Sequence, residues 1–213
     1  MKWIGPAFVS EGPTDDRFLT KIIGRALEEL CAARFVDDVL IGDVIPVRTR
    51  SGPASVDASV RALVENSGSF NLVIFHHDVG ANPERVQREW VVPMREAWSS
   101  RGVPAPLVFL LPVRESEAWA LADGDALRSV FGVTWDDAEL GLPGRRRRVA
   151  EIADPKRVIS QISGRVSGRP VDYHSRLGEL IDLRKLSEVD AYSDWTTELC
   201  AALENDLQLK RMR

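Results

Sequence analysis

The chain lacks the short motifs that mark the commonest active sites of α/β proteins. No Gly-x-x-x-x-Gly-Lys-Ser/Thr occurs, which excludes a Walker-type phosphate loop. No Gly-x-Gly-x-x-Gly follows the first apolar run, so a dinucleotide fingerprint is absent. No Gly-x-Ser-x-Gly nucleophile elbow is present either. Cysteine is scarce: Cys31 and Cys200 each sit among apolar neighbours in a helix-like pattern. Both read as buried thiols rather than a disulfide or a metal pair. Histidine is scarcer than zinc chemistry demands, since beyond the adjacent His76 and His77 there is only His174. Neighbouring residues on a strand face opposite ways. One of the adjacent pair is then expected buried and hydrogen-bonded, with the other free to line a site. Net positive charge is missing too: the sum is −4, so nucleic-acid binding would need a local basic patch. No apolar run approaches membrane-spanning length, and Met1–Pro6 carries no signal-peptide h-region. The expectation is a cytoplasmic protein with no membrane partner. Internal repeats and low-complexity tracts are absent.

What is present fits one sizeable core. The 213 residues are 44% hydrophobic and 28% charged, a balance ordinary for a globular chain. Residues 3–10 read as a first strand, weakened at its start by Pro6. Thr14 or Asp15 can cap a helix carrying Phe18, Leu19, Ile22, Ile23, Ala26, Leu27 and Leu30 on one face. Val39–Val47 reads as a second strand, and residues 54–65 as a helix ended by Asn66-Ser67-Gly68. Residues 71–77 form a third strand. A helix follows from Asn82 or Pro83 to about Ser99, which Pro93 should kink or break. Leu107-Val108-Phe109-Leu110-Leu111 is a continuous apolar run, suited to a strand buried on both faces. Glu115–Ala122 reads as a short helix. This alternation predicts an α/β fold with a mainly parallel, Rossmann-like sheet flanked by helices. Further helical patterns begin at Asp154-Pro155 and cover residues 175–184 and 194–207. The expected organisation is an α/β core over residues 1–125 and a helical C-terminal portion over 126–213, packed on that core.

Two carboxylates stand where such a sheet places its ligands. Glu11 follows the first strand, next to Gly12, and Asp78 follows the third. Acids at the C-terminal ends of separate strands are a means of holding a hard divalent cation such as Mg²⁺ or Mn²⁺. Glu115, Glu117 and Asp123 follow the fourth strand and can add a third acid, with Glu117 favoured and Asp123 equally suited to capping the next helix. Asp15 and Asp16 lie in the first turn of a helix, where negative charge complements the dipole. Arg48 and Arg50, leaving the second strand, are candidates for clamping a phosphate. Arg145-Arg146-Arg147-Arg148 is either a solvated loop or a contact to a phosphate backbone, together with Lys156, Arg165 and Arg169. Trp90, Trp98 and Trp119 occupy helical positions and read as core.

Glu11-Gly12-Pro13-Thr14-Asp15 resembles the Glu-Gly-x-Thr-Asp/Glu opening of Toprim-type domains, found in topoisomerases, bacterial primases and overcoming-lysogenization-defect nucleases. His77-Asp78-Val79-Gly80 resembles the Asp-x-Asp motif of those domains, with Gly80 where the second aspartate stands. Pro112–Asp123 is similar to the signature of a stand-alone prokaryotic Toprim-like family whose members often neighbour AAA or ABC-type ATPases in defence loci. The resemblance covers residues 3–125, with Asp154-Pro155-Lys156 as a further element. It implies Mg²⁺ or Mn²⁺ and phosphodiester cleavage in nucleic acid, DNA more than RNA, with a separately encoded ATPase partner. By motif, Glu11 takes the place of the Toprim glutamate and Asp78 that of the first aspartate. Glu117 compensates for the missing acid, or the chain is a non-catalytic module that binds an ATPase or nucleic acid. In the catalytic case the metal ligands are Glu11, Asp78 and Glu117. Lys156, Arg48 or Arg50 would then stabilise the developing charge, and Arg145 and Arg146 would contact the substrate.

Overall fold

The computed structural model describes residues 1–48, 55–166 and 172–212. It is an α/β fold. Among the described residues, a four-stranded sheet has the order β4-β2-β5-β6, from Ile45–Pro46, Pro6–Val9, Leu72–His76 and Leu107–Leu110, with every pairing parallel. A second, two-stranded parallel sheet joins β1 (Lys2–Ile4) to β3 (Val39–Ile41).

The period-two alternation of the strands sorts their side chains onto two faces. Phe8, Leu72, Ile74, Val108 and Leu110 point into one buried cluster, while Ala7, Val9, Val73, Phe75 and Phe109 point into another. Helix α2 (Val56–Glu65) and helix α4 (Val92–Ser99) cover the second face with Val60, Leu63, Met94 and Trp98. The first face takes α1 (Pro13–Arg34) and most of the C-terminal helices. β2, β5 and β6 are therefore apolar on both sides, which is why they read as continuous runs rather than alternating ones.

Glu117–Ala120 forms α5 and Gly124–Phe131 forms α6, followed by α7 (Pro155–Gly164), α8 (Tyr173–Leu180), α9 (Leu183–Leu186) and α10 (Asp190–Asn205). α8 packs along α1, and α10 lies against β6. Trp119, Tyr192 and Trp195 meet ring to ring within this layer, so residues from both sides of position 125 share one core. Among the described residues no helix is long and apolar enough to cross a membrane.

Five local expectations are corrected. The first strand is two strands separated by Gly5, since β1 joins β3 in one sheet while β2 joins β4 and β5 in the other, and the Trp3 ring lies where a β-carbon at position 5 would sit. The second is likewise two, since β3 pairs with β1 while β4 pairs with β2. Pro93 does not interrupt the helix: Pro83–Val86 (α3) runs through a widened turn at Gln87–Val91 into α4, where Val92 N–H reaches Gln87 O five residues back. The helical pattern at residues 175–184 is divided between α8 and α9, and that at 115–122 contracts to α5. Cys31 is buried, Cys200 half-buried, and both are free thiols. Burial pushes the Cys31 thiol up to about 11.

Candidate metal centre

The chain leaves β2 through α1 toward β4 on one side, and leaves β5 toward β6 on the other. β2 and β5 are neighbours, so their C-terminal ends flank the point where the connections diverge. A crevice at such a point is where open parallel sheets bind ligands. Glu11 follows β2 and Asp78 follows β5, so the topology brings both to it.

The loops after β5 and β6 stay zipped beyond the strands. His77 N–H donates to Leu110 O at 3.3 Å, Val79 N–H to Pro112 O at 3.0 Å, and Gly80 N–H to Arg114 O at 3.1 Å. The last pair is an antiparallel bridge in which both residues have positive φ, 63° at Gly80 and 70° at Arg114. Glycine suits that conformation because it has no β-carbon to clash. This is the position where an Asp-x-Asp motif would carry its second acid.

His76, the last residue of β5, is 1% exposed. Its Nδ1 lies 3.2 Å from Leu110 O, which fixes the proton there as a donor to that carbonyl. Nε2, turned to the crevice, carries the lone pair in the neutral ring and has no hydrogen-bond partner among the described residues. It lies 3.5 Å from Asp78 Oδ1 and 3.6 Å from Asp15 Oδ1, too long for a strong hydrogen bond. Glu11, His76 and Asp78 each present a ligand atom, all within 4.8 Å of one another. Two carboxylates and an imidazole suit a divalent cation.

Backbone and hydroxyl donors hold the surrounding acids. Ser116 N–H donates to Asp78 Oδ1 at 2.9 Å, and Ser116 Oγ donates to Asp15 Oδ1 at 2.7 Å. Asp16 Oδ1 accepts from Ser10 Oγ at 2.5 Å, and its other oxygen takes Arg48 Nε at 2.9 Å. Glu11 Oε1 pairs with Nδ1 of His77, whose ring stands edge-on to Trp90 at 4.6 Å. Lys156, in the first turn of α7, brings Nζ within 3.3 Å of Glu115, 3.9 Å of Glu117 and 4.0 Å of Asp78.

Burial is the main force on protonation. It pushes Asp78 up to about 7, with Glu11 and Asp15 adding to the rise and His76 and Lys156 opposing it. Glu117 is raised by burial as well, against the pull of Lys156. Burial pulls His76 down, but the carboxylates of Asp15, Asp78 and Glu11 outweigh it and hold the imidazole above its usual range. Burial pushes Asp15 up, and His76 with Ser116 more than reverses that, leaving it below the usual carboxylate range. Lys156 is raised, its desolvation outweighed by Glu117, Glu115 and Asp78.

Glu11, Asp78, Glu117 and Lys156 therefore share one neighbourhood. Glu117 stands beside the three-residue ligand group rather than within it, with its Oε2 3.3 Å from Ser116 Oγ. Asp123 caps α6, accepting from Asp125 N–H at 3.1 Å, and takes Lys185 Nζ at 2.6 Å. Arg48 spends its guanidinium on Asp16, and Arg50 lies outside the described residues. Arg145 and Arg146 line a different cleft, with Asp125, Arg128, Lys185 and Glu188, where Arg146 pairs with Glu188 at 2.6 Å.

Sequence reasoning did not assign His76 or Asp15 to the site. The expectation of one buried histidine holds for His76, yet its buried ring also faces the acids. Asp15 and Asp16 were expected as first-turn charges, and both are buried and hydrogen-bonded. Comparison of the chain with family models, with curated proteins and with solved structures gives no match.

Proposed function

We propose that this chain is a Toprim-like, metal-dependent nuclease that hydrolyses phosphodiester bonds in nucleic acid, DNA more than RNA. The observation that carries this reading is the convergence of Glu11, Asp78 and His76 at the ends of adjacent parallel strands, with Lys156 and Glu117 beside them. Mg²⁺ or Mn²⁺ bound there would polarise the scissile phosphate and lower the pKa of an attacking water. Glu11 and Asp78 would hold the cation. Lys156 stays charged and offsets negative charge on the phosphate. Glu117 keeps a proton to higher pH than an ordinary glutamate, which suits it to protonate the leaving oxygen. A separately encoded AAA or ABC-type ATPase and a cytoplasmic role in prokaryotic defence belong to the same reading.

The test is cleavage of plasmid, linear duplex, single-stranded DNA and RNA with Mg²⁺, Mn²⁺ or EDTA. The expected result is metal-dependent cleavage reduced at least about 100-fold by Glu11→Ala or Asp78→Ala. Cleavage that survives both substitutions rejects the site. Gly80 in place of a second aspartate favours a second reading, a non-catalytic module that binds an ATPase or nucleic acid. That reading predicts binding without turnover in every metal.

A further inference from the structure

We propose that His76 Nε2 is a direct metal ligand, and that the centre therefore takes a first-row transition ion such as Mn²⁺ in preference to Mg²⁺. This rests on the metal reading of the same site. Three observations carry it. The ring is fully enclosed, so Nε2 cannot turn to solvent. Nδ1 is committed to Leu110 O, which leaves Nε2 as the lone-pair nitrogen in the neutral ring. Nε2 has no hydrogen-bond partner among the described residues, yet faces Glu11 and Asp78 at ligand spacing.

A buried polar atom left without a partner calls for an explanation, and a bound ion is one of the standard ones. The arrangement is also the usual one for a ligating histidine: one nitrogen donates to a carbonyl, which fixes the tautomer, and the other is offered to the metal. Its neighbours complete the picture. Asp78 is pre-set by Ser116 N–H, while Glu11, the exposed member, closes the site from the solvent side. Gly80 cannot supply an acid, so the third ligand comes from the strand instead of the loop. The exchange of a carboxylate for an imidazole has a chemical consequence. Mg²⁺ prefers all-oxygen surroundings and dehydrates reluctantly, whereas imidazole favours transition ions.

The experiment uses the full chain and Mn²⁺ itself as the probe. Free Mn²⁺ is counted by electron paramagnetic resonance during titration, alone and against Mg²⁺. Electron spin-echo modulation of the bound ion then reads directly coordinated nitrogen. The expected result is a single Mn²⁺ with a ¹⁴N modulation that changes when the protein is labelled with ¹⁵N-histidine, and Mn²⁺ favoured over Mg²⁺ by about 10-fold or more. His76→Asn keeps a donor for Leu110 O and removes the ligand. It should lower Mn²⁺ affinity about 10- to 100-fold, with little change for Mg²⁺. Bound Mn²⁺ without nitrogen modulation overturns the role of His76 and leaves the nuclease reading standing. Absence of any bound divalent ion overturns both. The isotope comparison is made on the unsubstituted protein, and His77→Gln separates the two rings beside Glu11: modulation kept in that variant assigns the nitrogen to His76 even if His76→Asn fails to fold, and modulation lost assigns it to His77 and overturns the role of His76.

Discussion

At the scale of single residues, the centre couples protonation to folding. The folded chain holds Asp78 near 7 against an ordinary 3.8, so between those values it keeps a proton that the unfolded chain has released. Stability of the metal-free protein must therefore fall, through this group, as pH rises from about 4 to about 7. His76 has the same sign: its stabilising protonation is present below its ordinary value and is lost as pH rises through the raised one. Asp15 has the opposite sign, but its contribution is lost only as pH drops below the ordinary carboxylate range. Metal needs Asp78 and His76 deprotonated, so its effect grows where theirs disappears. Melting temperatures in EDTA should decline from pH 6 to pH 8, while the increment given by Mn²⁺ should increase over the same range. An increment larger at pH 6 would show that neither group ligates.

The carboxylates of this centre were legible because an acid within a few residues of the end of an apolar run is a local pattern, and Glu11 and Asp78 both show it. His76 was not. Alternation says only that His76 and His77 face opposite ways, and with both faces of β5 apolar it cannot say which way faces the acids. Asp15 was hidden for another reason. Its partner Ser116 lies 101 residues away in sequence, and only the parallel pairing of β2, β5 and β6 brings them together.

At the scale of elements, α8 lies close against α1. Gly178 faces the backbone of α1 so closely that a β-carbon would strike Phe18 O and sit 3.0 Å from Lys21 Cβ. Arg25 of α1 then ties off α8, donating to Gly178 O at 2.9 Å and Ile181 O at 2.8 Å. Those carbonyls near a helix end need donors from outside the helix. Gly178→Ala should cost about 1–3 kcal/mol through overpacking against backbone that cannot yield. In a chain of this length that is a drop in melting temperature of very roughly 2–12 °C. An unchanged melting temperature would mean that the two helices stand farther apart. The order of strands and helices was readable from apolar runs and caps. The divisions at Gly5 and between β3 and β4 were not, because a run of apolar residues does not say which neighbour each half will pair with. Pro93 misled because a missing N–H can be absorbed upstream, in a widened turn, as well as by a break.

At the scale of the whole molecule, the sheet is shared property. Helices from the first third of the chain and from its end bury against the same face, and the Trp119, Tyr192 and Trp195 rings lock α5 to α10. Neither half has a complete core without the other on this face. Denaturation followed by tryptophan fluorescence and by far-ultraviolet circular dichroism should give one coincident transition. Two separated midpoints would show that the C-terminal helices unfold as a unit of their own.

The bridge between Gly80 and Arg114 carries a consequence for how this centre can change. An aspartate at position 80 would have to accept a φ of 63°, a conformation that generally costs a residue with a β-carbon about 1–2 kcal/mol, less for Asp than for most. The crossing of the two loops and an acid at that position thus compete. His76 stands two residues before Asp78, inside the sheet, and its ring stacks on Phe8 in the core. A ligand on a loop can be traded without touching the fold. One written into a central strand cannot, and variation at position 76 is answerable to folding and to chemistry at once.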